Sequence, residues 1–257
     1  MNIATLRLAT AIVFFIAIQD AFAQTSCNAT DWTTYKSVKL KKTPSGDAYF
    51  YATKHMAIDA DGAPNAYHPA NRGIDANANA GYPNGGWRNV LVEDPHRPGK
   101  PYVQKTGPFA GFFVAKTTLA DPSLPVTDPN RYVDSTSVPY IVFPGAFHSM
   151  RGTGTWGDLG MVKNLDNGKE TAFIVADAGP TNAALGEVSI KLAENLGGSH
   201  VNPRIGSGMP TGRFVYVVFP KSHSTPPWRI DPVDLDRKAR DLLTDIGGWN
   251  AVEACNP

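Results

Sequence analysis

Apolar residues in this chain come in short runs, broken every few residues by glycine, proline, asparagine or aspartate, and this pattern constrains the fold most. Residues 107–116 (GPFAGFFVAK), 139–143 (PYIVF), 161–165, 171–176 and 213–219 (RFVYVVF) are β-branched or aromatic segments with such boundaries, and each predicts a strand. Asp166-Asn167-Gly168, between two of them, predicts a hairpin turn. Two helices are expected. Residues 187–196 put Val188, Leu192 and Leu196 on one face and stop at Gly197-Gly198. Residues 232–246 follow Asp231 as N-cap, begin with proline, carry Leu235, Ala239, Leu242 and Ile246 as a stripe, and end at Gly247. With 21 prolines and 24 glycines, the remainder reads as loop. The expectation is a mainly β, single-domain barrel or sandwich with two helices and long loops.

The chain opens with a weakly positive segment, an apolar run over residues 8–18, and the small-residue sequence Ala21-Phe22-Ala23. Residues 1–23 therefore read as a secretory signal peptide, since the run is too short for a membrane span of roughly twenty residues. A single catalytic domain, residues 24–257, is expected in the secreted or periplasmic space. Its two cysteines, Cys27 and Cys255, stand at opposite ends. In an oxidising compartment such a pair predicts a disulfide, and neither cysteine has a second Cys or His at metal-ligand spacing. A net charge of +1 implies neither a nucleic-acid-binding patch nor a strongly acidic body, and with no later apolar run of spanning length, neither a nucleic-acid nor a membrane partner is expected. The product is expected to be a soluble monomer.

Several chemistries find no motif. The six histidines form no H-E-x-x-H, and both the G-x-S-x-G elbow and the phosphate-binding P-loop are missing. Residues 152–157 match G-x-G-x-x-G, but a strand rather than a helix follows, so they read as a flexible loop. Asp75-Ala-Asn77-Ala-Asn79 resembles the start of a calcium loop, yet the glycine falls one position late and Gly86 replaces the closing glutamate. No cofactor and no metal is expected.

Acids are distributed more informatively. Between residues 56 and 94, Asp59, Asp61, Asp75, Glu93 and Asp94 face only Arg72 and Arg88, with Tyr67, Tyr82 and Trp87 interleaved. Carboxylates beside aromatic faces suit a cationic sugar polymer; the alternative is an irregular loop with solvated acids. Further on, VADAGPTNAALGEVS (residues 175–189) holds Asp177 and Glu187 among small and apolar residues.

Three blocks in order, Met56-Ala-Ile-Asp59-Ala-Asp61-Gly62, Val138-Pro-Tyr-Ile-Val-Phe-Pro144, and Val175-Ala-Asp177 followed by Gly186-Glu187-Val-Ser189, resemble the chitosanases of glycoside hydrolase family 75. The resemblance implies an endo-acting, inverting hydrolase of chitosan, with Asp177 and Glu187 as its catalytic carboxylates. The chain departs from the family's fungal members at Ala60, where they carry cysteine, and in the loop between the two acids. A second resemblance concerns the fold. Asp177-Ala-Gly179-Pro180 and Ala193-Glu-Asn-Leu196-Gly197 look like the corresponding parts of double-psi β-barrels, which implies a barrel with Asp177 at a strand end over an open groove.

Glu187, at the start of an expected helix, is suited to hold a carboxylate that activates water. Asp177, at the end of an apolar strand, is suited to stay protonated as the acid, and the inverse assignment stays open. Asp59, Asp61, Tyr67, Tyr82 and Trp87 are assigned to substrate binding. Structural roles are the competing reading: Glu187 capping a helix, Asp177 and Asp61 bonding turns. Two other functions stay open, a non-catalytic carbohydrate-binding or wall-loosening protein and a peptidoglycan-cleaving enzyme.

Overall fold

A computed structural model describes residues 26–257, so the leader expected over residues 1–23 lies outside the described residues. Nine strands form one mixed sheet: β1 (Thr30–Tyr35), β2 (Val38–Lys42), β3 (Tyr49–Thr53), β4 (Ala57–Asp59), β5 (Tyr140–Pro144), β6 (Leu159–Asn164), β7 (Glu170–Gly179), β8 (Glu187–Ser189) and β9 (Phe214–Phe219). Their order is β1-β2-β3-β9-β6-β7-β5-β8-β4, and the hydrogen-bonded ladder is not closed on itself. Among the described residues four α-helices accompany it: α1 (Gly145–His148), α2 (Ile190–Asn195), α3 (Pro232–Asp245) and α4 (Gly248–Ala254). The protein is mainly β, with two more helices than expected, both short.

The central strands read as continuous apolar runs because both faces of the sheet are covered. Along β9, Phe214, Tyr216 and Val218 pack into one cluster, whereas Val215, Val217 and Phe219 pack into another. Along β7, Phe173 and Val175 join the first, and Ala172, Ile174 and Ala176 the second. α3 covers the second face through Leu235, Ala239 and Leu243. Asp231 caps α3 as expected, its carboxylate accepting from Val233 N–H. β6 and β7 form the predicted hairpin, with Gly168 at φ +73° in its turn.

Two expectations are corrected. Residues 107–116 form only isolated bridges, Phe113 with Val103 and Ala115 with Leu91, because Gly107 and Gly111 adopt φ of +82° and +94° and turn the chain. Residues 187–196 are not one helix. Glu187 lies in β8, which pairs in parallel with β4, and the helix cap is Ser189. The Ser189 hydroxyl donates to Val138 O and accepts from Tyr140 N–H and Leu192 N–H, so it ends the strand, starts α2 and ties both to β5. A capping serine offers its oxygen to the helix; a glutamate two residues earlier is then outside it.

Cys27 and Cys255 are joined by the predicted disulfide, 228 residues apart in sequence. Closing such a loop stabilises the fold by about 5 kcal/mol in the chain-entropy model. Among the described residues, no helix is long and apolar enough to cross a membrane.

Candidate active site

The two acids singled out in the sequence lie on strands that share one neighbour. β5 pairs in parallel with β7, which carries Asp177, and bridges to β8, which carries Glu187. β4, next in order, carries Asp59 opposite Ser189. Pairing of β5 with β7 slips by one residue: Ile141 faces Val175 but Val142 faces Asp177, so Ala176 is the extra residue of a bulge. The bulge interrupts the alternation of the strand where it leaves the core, and Ala176 O is satisfied by Leu119 N–H at 2.8 Å. Asp177 emerges at the wall of a groove of about 860 Å³ whose lining also includes Asp59, Asp61, Tyr67, Asp75 and Glu187.

Two glycines let the backbone come close enough to build this wall. A Cβ on Gly179 would sit 2.9 Å from Glu187 Oε2 and 3.1 Å from Val142 Cγ1. Gly186, at φ +110°, would place a Cβ 2.3 Å from His55 O, so no larger residue fits where the chain enters β8 beside β4.

Asp59, Asp61 and Asp177 are 8%, 8% and 7% exposed. Each offers a carboxylate oxygen, and these oxygens lie within 4.8 Å of one another. They are the described residues whose spacing could hold a cation, but protein donors already engage all three. Asp61 accepts from the Tyr67 hydroxyl at 2.6 Å, and Asp59 from Asp61 N–H at 2.8 Å. Asp177 accepts three bonds at one oxygen: Thr118 N–H at 2.9 Å, Thr118 Oγ1–H at 2.6 Å and Ala178 N–H at 2.7 Å. The buried Tyr140 hydroxyl donates to Asp61 O and fixes that turn.

Their protonation follows from burial and mutual repulsion. Desolvation, then the charges of Asp177 and Glu187, push Asp59 well above the usual carboxylate range. Asp61 is raised the same way, by burial and then by Asp59 and Asp177, against the Tyr67 hydrogen bond. Burial also raises Asp177, but the Thr118 hydroxyl, both N–H donors and Lys116 all oppose it. Glu187 has no hydrogen-bond donor among the described residues; burial, then Asp177 and Asp75, push it up to about 7. Burial raises both acids, but donors that favour the ionised form reach only Asp177, which favours the inverse assignment that the sequence left open. Without a helix terminus behind it, Glu187 has nothing to favour its ionised form, and Asp177 has three donors that do.

The remaining assignments separate. Tyr67 lines the groove as the donor to Asp61, its ring buried. Trp87 does not reach the groove: it is 2% exposed, Tyr82 meets it edge-on, and the Arg88 guanidinium lies 4.4 Å from its ring centre. Tyr82 is half-buried between Trp87 and Phe113. The assignment of Trp87 to substrate binding is corrected to a packing role, because the ring is buried under Arg88 and Tyr82, whereas Tyr82 keeps part of its own ring exposed outside the groove lining. Glu93 and Asp94 are paired with Arg88 and Arg97 outside the groove. The resemblance of residues 75–79 to a calcium loop reflects turn-forming bonds, from Asn77 N–H to Asp75 and from Gly81 N–H to Asn79.

Asp75, Thr118 and Lys116 line the groove and were not singled out as site residues. Thr118 has no sequence signal, since its contact with Asp177 spans 59 residues. A second groove, about 810 Å³, contains Asp128 and Asp134, but both carboxylates are engaged by backbone N–H groups of their own turns. No family model matches the chain, and no curated protein matches it.

Proposed function

We propose that this protein is a secreted, endo-acting glycoside hydrolase that cleaves chitosan by inversion, as its resemblance to family 75 chitosanases implies. The observation that carries the reading is a pair of carboxyl groups in one groove: Glu187, without a donor among the described residues and raised to about 7, and Asp177, held by three donors. Glycoside hydrolysis requires one carboxyl group that gives a proton and a second that takes one.

In this mechanism Glu187 gives its proton to the glycosidic oxygen as the bond to the anomeric carbon breaks. Asp177 takes a proton from the water that attacks that carbon from the opposite face. Burial and the neighbouring acids raise Asp59 and Asp61, which favours their protonated forms and limits the negative charge beside Asp177. The parallel pairings of β5 with β7 and of β4 with β8 support reading the sheet as part of a double-psi β-barrel. The disulfide supports export.

The test is reducing-end release from highly deacetylated chitosan by wild type and Glu187→Gln, with NMR of the first-formed anomer. Wild-type release of the inverted anomer, lost in a folded variant, is expected. An inactive wild type would sink the proposal and make peptidoglycan strands the next substrate.

A further inference from the structure

Glu187 and Asp177 account for bond cleavage but leave one acid of the groove without a task. Asp75 lies on the loop after β4 and lines the groove with them. One of its oxygens accepts Asn77 N–H at 2.7 Å, which fixes the carboxylate's direction. It is half-buried and makes no ion pair among the described residues, and its charge acts on Asp61 and on Glu187. The two cations of the groove are committed elsewhere. Arg88 reaches Glu93 and covers Trp87, and Lys116 Nζ donates to Arg88 O at 2.8 Å. A carboxylate held in one direction on a groove wall, with no cation of the described residues beside it, is placed to accept a charge-assisted hydrogen bond from a bound cation.

We propose that Asp75 receives the ammonium group of an amino-sugar residue bound beside Glu187, and so selects the free amine over its N-acetylated form. The inference rests on the glycosidase reading and names the feature of the sugar that this part of the groove recognises. Burial raises Asp75, against the N–H groups of Asn77 and Ala76, so an arriving cation also relieves an unfavourable charge. Acetylation removes the positive charge and adds bulk at the same position. A carboxylate serving only sugar hydroxyls would treat the two forms alike.

The experiment is calorimetric titration of Glu187→Gln and of Glu187→Gln/Asp75→Asn with a fully deacetylated glucosamine hexamer and with its fully acetylated counterpart. Asparagine keeps the oxygen that accepts Asn77 N–H, so the turn persists while the charge goes. The deacetylated hexamer should bind the double variant about tenfold or more weaker, the acetylated one about equally to both. Equal weakening for both ligands, no weakening, or no binding of the deacetylated hexamer to Glu187→Gln would overturn the assignment. Reducing-end release by wild type separates the two readings. Cleavage without the difference in binding removes Asp75 alone; the difference without cleavage removes the hydrolase and leaves Asp75 as an ammonium site.

Discussion

α3 and the groove carry similar numbers of acids and treat them in opposite ways. On α3, Asp234, Asp236 and Asp241 are largely exposed and paired within the helix: Asp234 and Asp241 with Arg237, Asp236 with Arg240. In the groove, Asp59, Asp61, Asp75, Asp177 and Glu187 make no ion pair among the described residues, and burial raises every one of them. Water screens the first set, so each pair contributes only about 0.3–0.5 kcal/mol. The second set costs stability at neutral pH and is retained in the fold. Acids drawn together without a cation mark the place where, on the proposed function, stability is traded for chemistry.

Replacing Glu187 by Gln should produce the largest effect, a loss of about 10²–10⁴-fold in kcat on chitosan, while Asp236→Asn leaves turnover unchanged. In wild type, kcat/KM should fall as pH rises through about 7, where Glu187 loses the proton it must donate, and a pH–rate profile checks this.

The same substitution should make the protein more stable. Free in the unfolded chain Glu187 titrates near 4.5, and in the folded protein near 7. Between these values the native state holds a proton that the unfolded state releases, so stability declines as pH rises across that window and stays lower above it. Urea unfolding at pH 8 should show Glu187→Gln stabilised by about 1–3 kcal/mol, with no gain below pH 4. A loss at pH 8 would mean that the carboxylate is structural.

Thr118→Val should have a smaller, directional effect. It removes one of the three donors to Asp177 and shifts the acidic limb of the pH–rate profile upward by about one unit. Smallest of all, Asp236→Asn on α3 should change stability by no more than about 0.5 kcal/mol, readable in the same urea experiment. A larger change there would erase the contrast between the two regions.

Strands β5, β6, β7 and β9 were legible because their apolar runs are buried on both faces, and α3 because cap, first-turn proline and stripe agree. β1 and β2 were not. Sequences such as TDWTTY and VKLKK belong to the end of the sheet, where one side faces water and polar residues carry no strand signal. Residues 107–116 failed in the other sense, with strand composition but two glycines that bend the chain.

The linear order of residues determined that this protein is mainly β, that its ends are tied by Cys27 and Cys255, and that Asp59, Asp61, Asp177 and Glu187 belong in one discussion. Only the tertiary structure decided what those acids are. Protonation depends on who is within a few ångströms and on how much water is left. Thr118 reaches Asp177 across 59 residues, a bulge at Ala176 precedes that carboxylate, and Ser189 caps the helix that Glu187 was expected to open. Spacing along a chain reports local periodicity; desolvation and charge neighbours are set by what the fold folds against them.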